Sequence, residues 1–357
     1  MKYFSIKVFK IMIEIISTGM LSSFQDEGRF AQKKYGVSQS GCLDLFSYKL
    51  ANKLVKNKID EACIEVINGP FTCIFHKEAL ISVTGPSEIF SINNNFVYQT
   101  NSSISVSKGD ELFLPYTSKG NIYYLSISGG YEIKDILNSK SYHQPSNIAE
   151  KLKISAGDKI NFSNNINSSL MILKNDFFEK NIFNSEKIKI IFEDNISNNF
   201  INDFEKMDYL VSDQLSRQGL RLKGNPLSYF NDQNEISSEV SVGTVQLPPD
   251  GIPIILLNDS QTTGGYKKIG SIPKLDLSKL TQTPVNSPIS FVRISLEDSI
   301  KQFRKMNSDF EKINLENYTN KILQINGRLI SVQISQNNSI MSIADNQHFA
   351  VNEETFE

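Results

Sequence analysis

The chain has 357 residues, a formal charge of −2 and three cysteines, so it is long enough for two domains of ordinary size, each with its own core. Acidic and basic residues are interspersed without a basic stripe, which removes the electrostatic footprint of nucleic-acid binding. Cys42, Cys63 and Cys73 form no CxxC pair and suit a reducing compartment as buried small hydrophobes, while His76, His143 and His348 sit at no metal-ligand spacing.

The N-terminal stretch MKYFSIKVFKIMIEII is basic and then apolar, but Glu14 interrupts the run and no small-residue cleavage site follows, so it does not read as a secretory signal. Ile11, Ile13 and Ile15 alternate like a first strand. No segment reaches membrane-spanning length, and a soluble, cytoplasmic protein is expected. Residues 1–11 read as an extension before the domain proper. A polar loop follows, with Gln25, Asp26, Gly28 and Arg29 close together, and Ser40-Gly41 leads into Asp44. Asp44 predicts an N-cap for a helix reaching about Lys56, with Leu43, Phe46, Leu50 and Leu54 on one face.

From 63 to 162 the pattern is short strands, predicted at 79–84, 103–107, 111–114 and 122–128. Lys108-Gly109-Asp110 before ELFL and Ala156-Gly157-Asp158 before KINF repeat one Gly-Asp turn, and Asn286-Ser287-Pro288 before ISFV is a degenerate third copy. Many short strands with few helices predict β-barrel-like domains, not a doubly wound sheet. The polar stretch 164–184 is the expected boundary, giving an N-terminal β domain over 12–165, a second over 186–300 and a helix-and-hairpin extension over 301–357. In the second unit a short helix is predicted at 198–207, with Phe200, Ile201 and Phe204 inward. VSDQLSRQGLRL then brings Arg217 and Arg221 around Gly219.

The stretch 240–272 organises this half. Its apolar run 252–257 reads as a buried strand, preceded by the stiff turn Pro248-Pro249-Asp250-Gly251. After it the chain turns polar through Asn258, Asp259, Ser260, Gln261, Thr262 and Thr263 into Gly264-Gly265-Tyr266, which is either a ligand-approaching loop or a solvated hairpin turn. Ser295 with Asp298 predicts a capped helix, and Asn326-Gly327 between KILQI and RLISVQI predicts a hairpin. Of 37 basic residues only Arg29, Arg217, Arg221, Arg293, Arg304 and Arg328 are arginine. The rigid fork of arginine suits carboxylates and phosphates, although Arg293, Arg304 and Arg328 read as surface ion pairs.

Taken in order, these motifs resemble the C subunit of bacterial 5-oxoprolinase, within the KipA-like, allophanate-hydrolase-subunit-2-like carboxyltransferase family. The resemblance rests on Gln25-Asp26-x-Gly28-Arg29, Gly36-Val37, Ser40-Gly41-x-x-Asp44 and Ala51-Asn52 in the first half. In the second half it rests on Ser216-Arg217-x-Gly219-x-Arg221-Leu222, Gly243-Thr244-x-Gln246-x-Pro248-Pro249-Asp250-Gly251 and Gln261-Thr262-Thr263-Gly264-Gly265-Tyr266 with Lys268-Ile269-Gly270. Thr18, Gln218 and Lys267 depart from the usual proline, methionine and proline, and nothing beyond about residue 300 matches.

The resemblance implies a mainly β fold with a few helices, in two cyclophilin-like β-barrel domains. It implies ATP-dependent opening of 5-oxo-L-proline to L-glutamate, in a complex with a KipI-like B subunit together with a LamB/YcsF-like A subunit. ATP serves the complex, no GxxxxGK[ST] segment marks a P-loop here, and no methionine-flanked lysine marks biotin attachment. The implied catalytic residues are Asp250, Arg217 and Gln261. Gln25, Asp26, Arg29, Ser40, Gln246, Thr262, Thr263, Gly264, Gly265 and Tyr266 are the implied substrate contacts, with no metal. A urea-carboxylase-like carboxyltransferase and a KipA-type module that binds a kinase-inhibitor protein are the alternatives. In the 5-oxoprolinase reading a small anionic substrate is expected where the early Asp/Arg loop meets the late Gln-Thr-Thr turn.

Overall fold

A computed structural model describes residues 13–85, 89–116, 118–163, 169–173, 187–227, 237–325, 328–335, 340–344 and 347–351. The protein is mainly β. Ile13–Thr18 and Phe71–Phe75 are neighbours in a six-stranded sheet, and Leu21–Gln25, Cys63–Ile67 and Ile122–Ile127 lie side by side in an eleven-stranded one. Ile13, Phe71 and Leu112 of the first sheet pack against Phe24, Ile64 and Leu125 of the second, so alternate residues of each strand supply one core. In the second half, seven strands from Lys187–Phe192 to Pro288–Arg293 form a closed barrel. Those two strands pair in parallel to close it. Closure removes the exposed edges that an open sheet leaves.

Local sequence rules account for most elements. Helix Leu45–Leu54 starts where Asp44 accepts from the Phe46 and Ser47 N–H groups, and it buries Leu45, Phe46, Leu50 and Leu54. Helix Asn198–Lys206 is capped by Ser197 and buries Phe200, Ile201 and Phe204, and helix Leu296–Glu311 is capped by Ser295. The Gly-Asp turns are one structure used twice. Gly109 and Gly157 have φ of 95° and 87°, and the Asp110 and Asp158 carboxylates each accept from the N–H three residues earlier, at 2.7 Å. Phe75 and Ile15 each exchange two backbone bonds with these turns, and Val211 does the same with Asn286 and Ser287, so the degenerate third copy is a structural copy too.

Two features were not legible in advance. Helix Lys274–Gln282 begins after Pro273 without a side-chain cap, and it buries Asp276, Ser278, Thr281 and Gln282 as well as Leu277 and Leu280. Within the expected boundary, residues 164–168 and 174–186 lie outside the described residues, but Met171–Leu173 is a strand. It bridges Ser102–Val106 and Leu315–Ile325, so the C-terminal strands extend the sheet of the first half. Leu315–Ile325 and Arg328–Ser335 pair as the predicted hairpin; Asn326-Gly327 itself lies outside the described residues, as do Ile11 and the last six residues.

The two halves share a core. Leu43, Leu45, Tyr48, Ile122 and Tyr124 from the first half cluster with Ile188, Leu220, Leu257 and Leu280 from the second. Helix Lys274–Gln282 fastens the seam with polar bonds. The Gln282 carboxamide accepts from Asn121 N at 3.1 Å and Ile122 N at 2.9 Å, and donates to Asp44 Oδ2 at 2.9 Å.

Candidate functional site

The polar loop after Leu21–Gln25 folds back on itself before Asp44. Arg29 N donates to Gln39 O at 2.6 Å, and Cys42 N to Asp26 O at 2.9 Å. The two limbs touch so closely that only glycine fits at the contacts. A Cβ on Gly28 would lie 2.8 Å from the Gln39 and Ser40 carbonyl oxygens, and one on Gly41 2.8 Å from the Glu27 carbonyl. Both glycines also have positive φ, 102° and 91°. The Asp26 carboxylate is fixed by four donors: Gly28 N at 2.8 Å, Ser139 Oγ at 2.7 Å, Ser141 Oγ at 2.5 Å and Lys140 N at 2.5 Å. Asp26 and Arg29 make no direct ion pair with each other. Arg29 donates instead to the carbonyls of Ile136 (3.2 Å) and Ser141, which hold its guanidinium against the 136–146 segment.

Arg217 crosses the seam. Wholly buried, it leaves the hairpin of Tyr209–Leu215 and Gly219–Lys223 and enters the first half. Its Nε donates to Asp259 Oδ2 at 3.0 Å and its Nη1 to Glu65. Nη2 reaches Asp259 Oδ1 at 3.2 Å, Gln25 Oε1 at 3.2 Å and Gly41 O at 2.6 Å. Burial lowers the guanidinium pKa, but Asp259 and Glu65 outweigh it, and the net shift is upward. Two carboxylates face one guanidinium here. Burial accordingly pushes the Glu65 carboxyl up, although Arg217, Leu43 N (2.9 Å) and Tyr124 OH (2.7 Å) oppose that shift.

Asn258, Asp259 and Ser260 are where the two halves' motifs meet. Ser40 N donates to Asn258 O at 2.9 Å, Asn258 Nδ2 donates to Cys42 O at 2.9 Å, and Ser38 Oγ bonds Ser260 O. Gln144 N donates to Asp259 Oδ2 at 3.2 Å. Beside this crossing, Glu27, Phe30, Lys33, Gln39, Ser241 and Lys274 help line a cavity of about 350 Å³ between the halves. Three buried polar atoms at the crossing have no partner among the described residues: Arg29 Nη1, Ser40 Oγ and His143 Nε2. Burial pulls the His143 imidazole below its ordinary pKa, with Asp259 opposing and Arg29 and Arg217 reinforcing.

The crossing thus gathers Gln25, Asp26, Arg29, Ser40 and Arg217 of the predicted site. Gln261 to Tyr266 stand next to it in sequence but turn outward: Gln261, Thr263, Gly265 and Tyr266 are exposed, and Thr263–Gly264 pairs with Ser238–Glu239. Gln246 is buried beneath that turn, so close that a Cβ on Gly264 would sit 2.5 Å from its Nε2. Asp250 lies in the Pro-Pro-Asp-Gly turn, half-exposed and paired with Arg221. Glu65, Tyr124, His143 and Gln282 belong to the network without having been singled out. For Glu65 the one available signal was an acid inside the apolar run CIEVI. The three cysteines are buried, and burial raises each thiol pKa, which argues against a nucleophile. No cluster of potential metal ligands occurs among the described residues, and no helix among them is long and apolar enough to cross a membrane.

Fold and crossing together define a mainly β protein whose two halves are joined by a shared core and a buried polar network. The chain belongs to the carboxyltransferase domain family, subdomain A and B, whose family model matches residues 35–293. It is 30% identical over 311 residues to the 5-oxoprolinase C subunit of Escherichia coli, covering 85% of this chain and 97% of that protein. Against the Haemophilus influenzae protein of the same name, identity is 29%, covering 82% of this chain and 95% of that one. Urea amidolyase of Lachancea kluyveri is 26% identical over 80% of this chain, which spans only 17% of that protein. The solved urea amidolyase of K. lactis superposes with a TM-score of 0.75 at 21% identity, over 93% of this chain and 23% of its own; this likeness concerns the fold.

Proposed function

We propose that the chain is the C subunit of an ATP-dependent 5-oxoprolinase that opens 5-oxo-L-proline to L-glutamate. The observation that carries this reading is the match to the Escherichia coli C subunit over 97% of that protein. The site chemistry supports it. A five-membered lactam is resonance-stabilised, so opening it calls for activation of the amide oxygen, a holder for the substrate carboxylate and donors for the developing oxyanion. Arg29 has a free, buried guanidinium nitrogen for the carboxylate. Gln261, Thr262 and the backbone of Gly264 and Gly265 lie where the polar turn opens to solvent and can supply donors. Arg217, with its fork committed to protein acceptors, serves as the frame of the site. Asp250 is paired with Arg221 in the Pro-Pro-Asp-Gly turn.

In this reading ATP is used by the assembled complex, and the chain has two partners in the cytoplasm, a KipI-like B subunit plus a LamB/YcsF-like A subunit. Co-purifying the three proteins and measuring ATP-dependent glutamate formation from 5-oxo-L-proline tests it. Turnover that disappears when this chain is omitted supports the proposal; turnover that persists without it refutes the assignment.

A second reading is favoured by the family description and by the urea amidolyase relatives: carboxyl transfer from a biotin carried on another protein. Loss of carboxylated biotin from a carrier protein in the presence of this chain and an amide acceptor would select that reading.

A further inference from the structure

We infer that His143 is a substrate-binding residue, forming with Arg29 and Ser40 a subsite for the carboxylate of a small molecule. The inference rests on the 5-oxoprolinase reading for the identity of that molecule and on geometry for the subsite. Three side chains, each at least nine-tenths buried, leave a polar atom unpartnered within one crossing: Arg29 Nη1, Ser40 Oγ and His143 Nε2. A buried donor left without a partner is costly, and the Asp26, Asp259 and Arg217 side chains around these three are already engaged. A bound ligand that accepts from all three would remove that penalty.

Local hydrogen bonds tie the three residues into one network. Arg29 and Ser40 sit on the two limbs of the folded loop, joined by the Arg29 N to Gln39 O bond and by the Gly28 contact with the Ser40 carbonyl. Ser40 N is held by Asn258 O, and the following residue, Asp259, is held by Gln144 N beside His143. His143 and Arg29 lie within electrostatic range of each other and of Asp259.

Each group is also aimed by its neighbours. His143 Nδ1 bonds Ser146 Oγ at 2.5 Å. With that nitrogen accepting the serine hydroxyl, the neutral imidazole presents Nε2–H as a donor. Arg29 commits Nε and Nη2 to carbonyls, so one face of its fork is fixed and the other is open. Ser40 adds a rotatable hydroxyl. One guanidinium N–H, one imidazole N–H and one hydroxyl match the acceptor demand of a single carboxylate group. The surrounding carboxylates are already engaged, Asp26 by four donors and Asp259 by Arg217, so they do not compete for these three.

The chain has three histidines, so side-chain nitrogen spectra of the full-length protein with 15N-labelled histidine resolve the question. Adding 5-oxo-L-proline should move one imidazole set, the set that is missing in His143→Gln. The carboxylate-free lactam 2-pyrrolidinone should leave it in place. An equal response to both would mean that the pocket reads the lactam, and would overturn the inference. If the isolated chain shows no response, the readout passes to the three-protein complex. There His143→Gln and Ser40→Ala should each raise KM for 5-oxo-L-proline at least tenfold. Ser40→Ala removes only an oxygen that has no partner among the described residues, so it leaves the fold intact should His143→Gln fail to fold. A working complex with unchanged KM in Ser40→Ala and His143→Gln sinks this inference alone. A chain whose His143 answers to 5-oxo-L-proline, in assemblies that never form glutamate, sinks the 5-oxoprolinase reading alone.

Discussion

Arg217 and Arg29 show how differently two buried arginines can be used. Arg217 is enclosed by Glu65, Asp259, Gln25 and Gly41, so removing its fork leaves carboxylates stranded in a dry seam. Arg217→Lys should lower unfolding stability by about 3 kcal/mol, measured by denaturant titration, because an ammonium cannot reproduce the planar fork. Arg221→Lys at the half-exposed Asp250 pair should change it by less than about 1 kcal/mol. His143 supplies a pH signature. Its burial, with Arg29 and Arg217 nearby and only Asp259 opposing, depresses its pKa in the fold. Between the depressed value and the ordinary one of about 6.5, the unfolded chain binds the extra proton. Stability is therefore complete above that ordinary value and falls as pH drops through the window. His143→Gln should flatten this slope in thermal midpoints recorded from neutral to mildly acidic pH. An unaltered slope would assign the acid sensitivity to another group.

At the scale of elements, the Asp44 cap joins local structure to the seam. Its carboxylate caps helix Leu45–Leu54 and also accepts from Gln282. Asp44→Ala should cost about 2 kcal/mol, the upper end for a lost cap, since it also takes one of its two acceptors from the Gln282 amide nitrogen; Asp44→Asn should recover part of this in the same denaturant assay. Much at this scale was legible beforehand. The Asp44 cap, the strands at 79–84 and 111–114, the repeated Gly-Asp turn and the Ser295 cap all follow from short-range rules that operate within a few residues. What escaped depends on distant partners. Helix Lys274–Gln282 carries a polar face that reads as solvated, yet Ser278, Thr281 and Gln282 are buried against the first half. Glu65 escaped for the same reason: nothing near it in sequence announces an arginine 152 residues away. The rigid fork of Arg217 reads as a holder of a carboxylate or phosphate, and the carboxylates it holds in the fold are the protein's own Glu65 and Asp259. The outward course of Gln261 to Tyr266 follows from pairing with Ser238–Glu239, which local spacing does not encode.

At the scale of the whole molecule, the shared core makes the two halves interdependent. Residues 1–173 and 174–357 expressed separately should each fail to give a cooperative thermal transition, whereas co-expression should restore one, since Leu43, Tyr48 and Ile122 need Ile188, Leu257 and Leu280 to fill their side of the core. Two independent transitions, each matching part of the intact protein, would contradict that expectation. The C-terminal strands tie the ends of the chain together in another way, by continuing the first half's sheet through Met171–Leu173.

The guanidinium that spans the seam also limits how reactants can come and go. Swinging the lobes apart would tear Arg217 from Glu65 or Asp259, a penalty of several kcal/mol before any solvent enters. The seam therefore opposes a clamshell opening of the two halves, and the cavity of about 350 Å³ beside it is present while the halves are closed on each other.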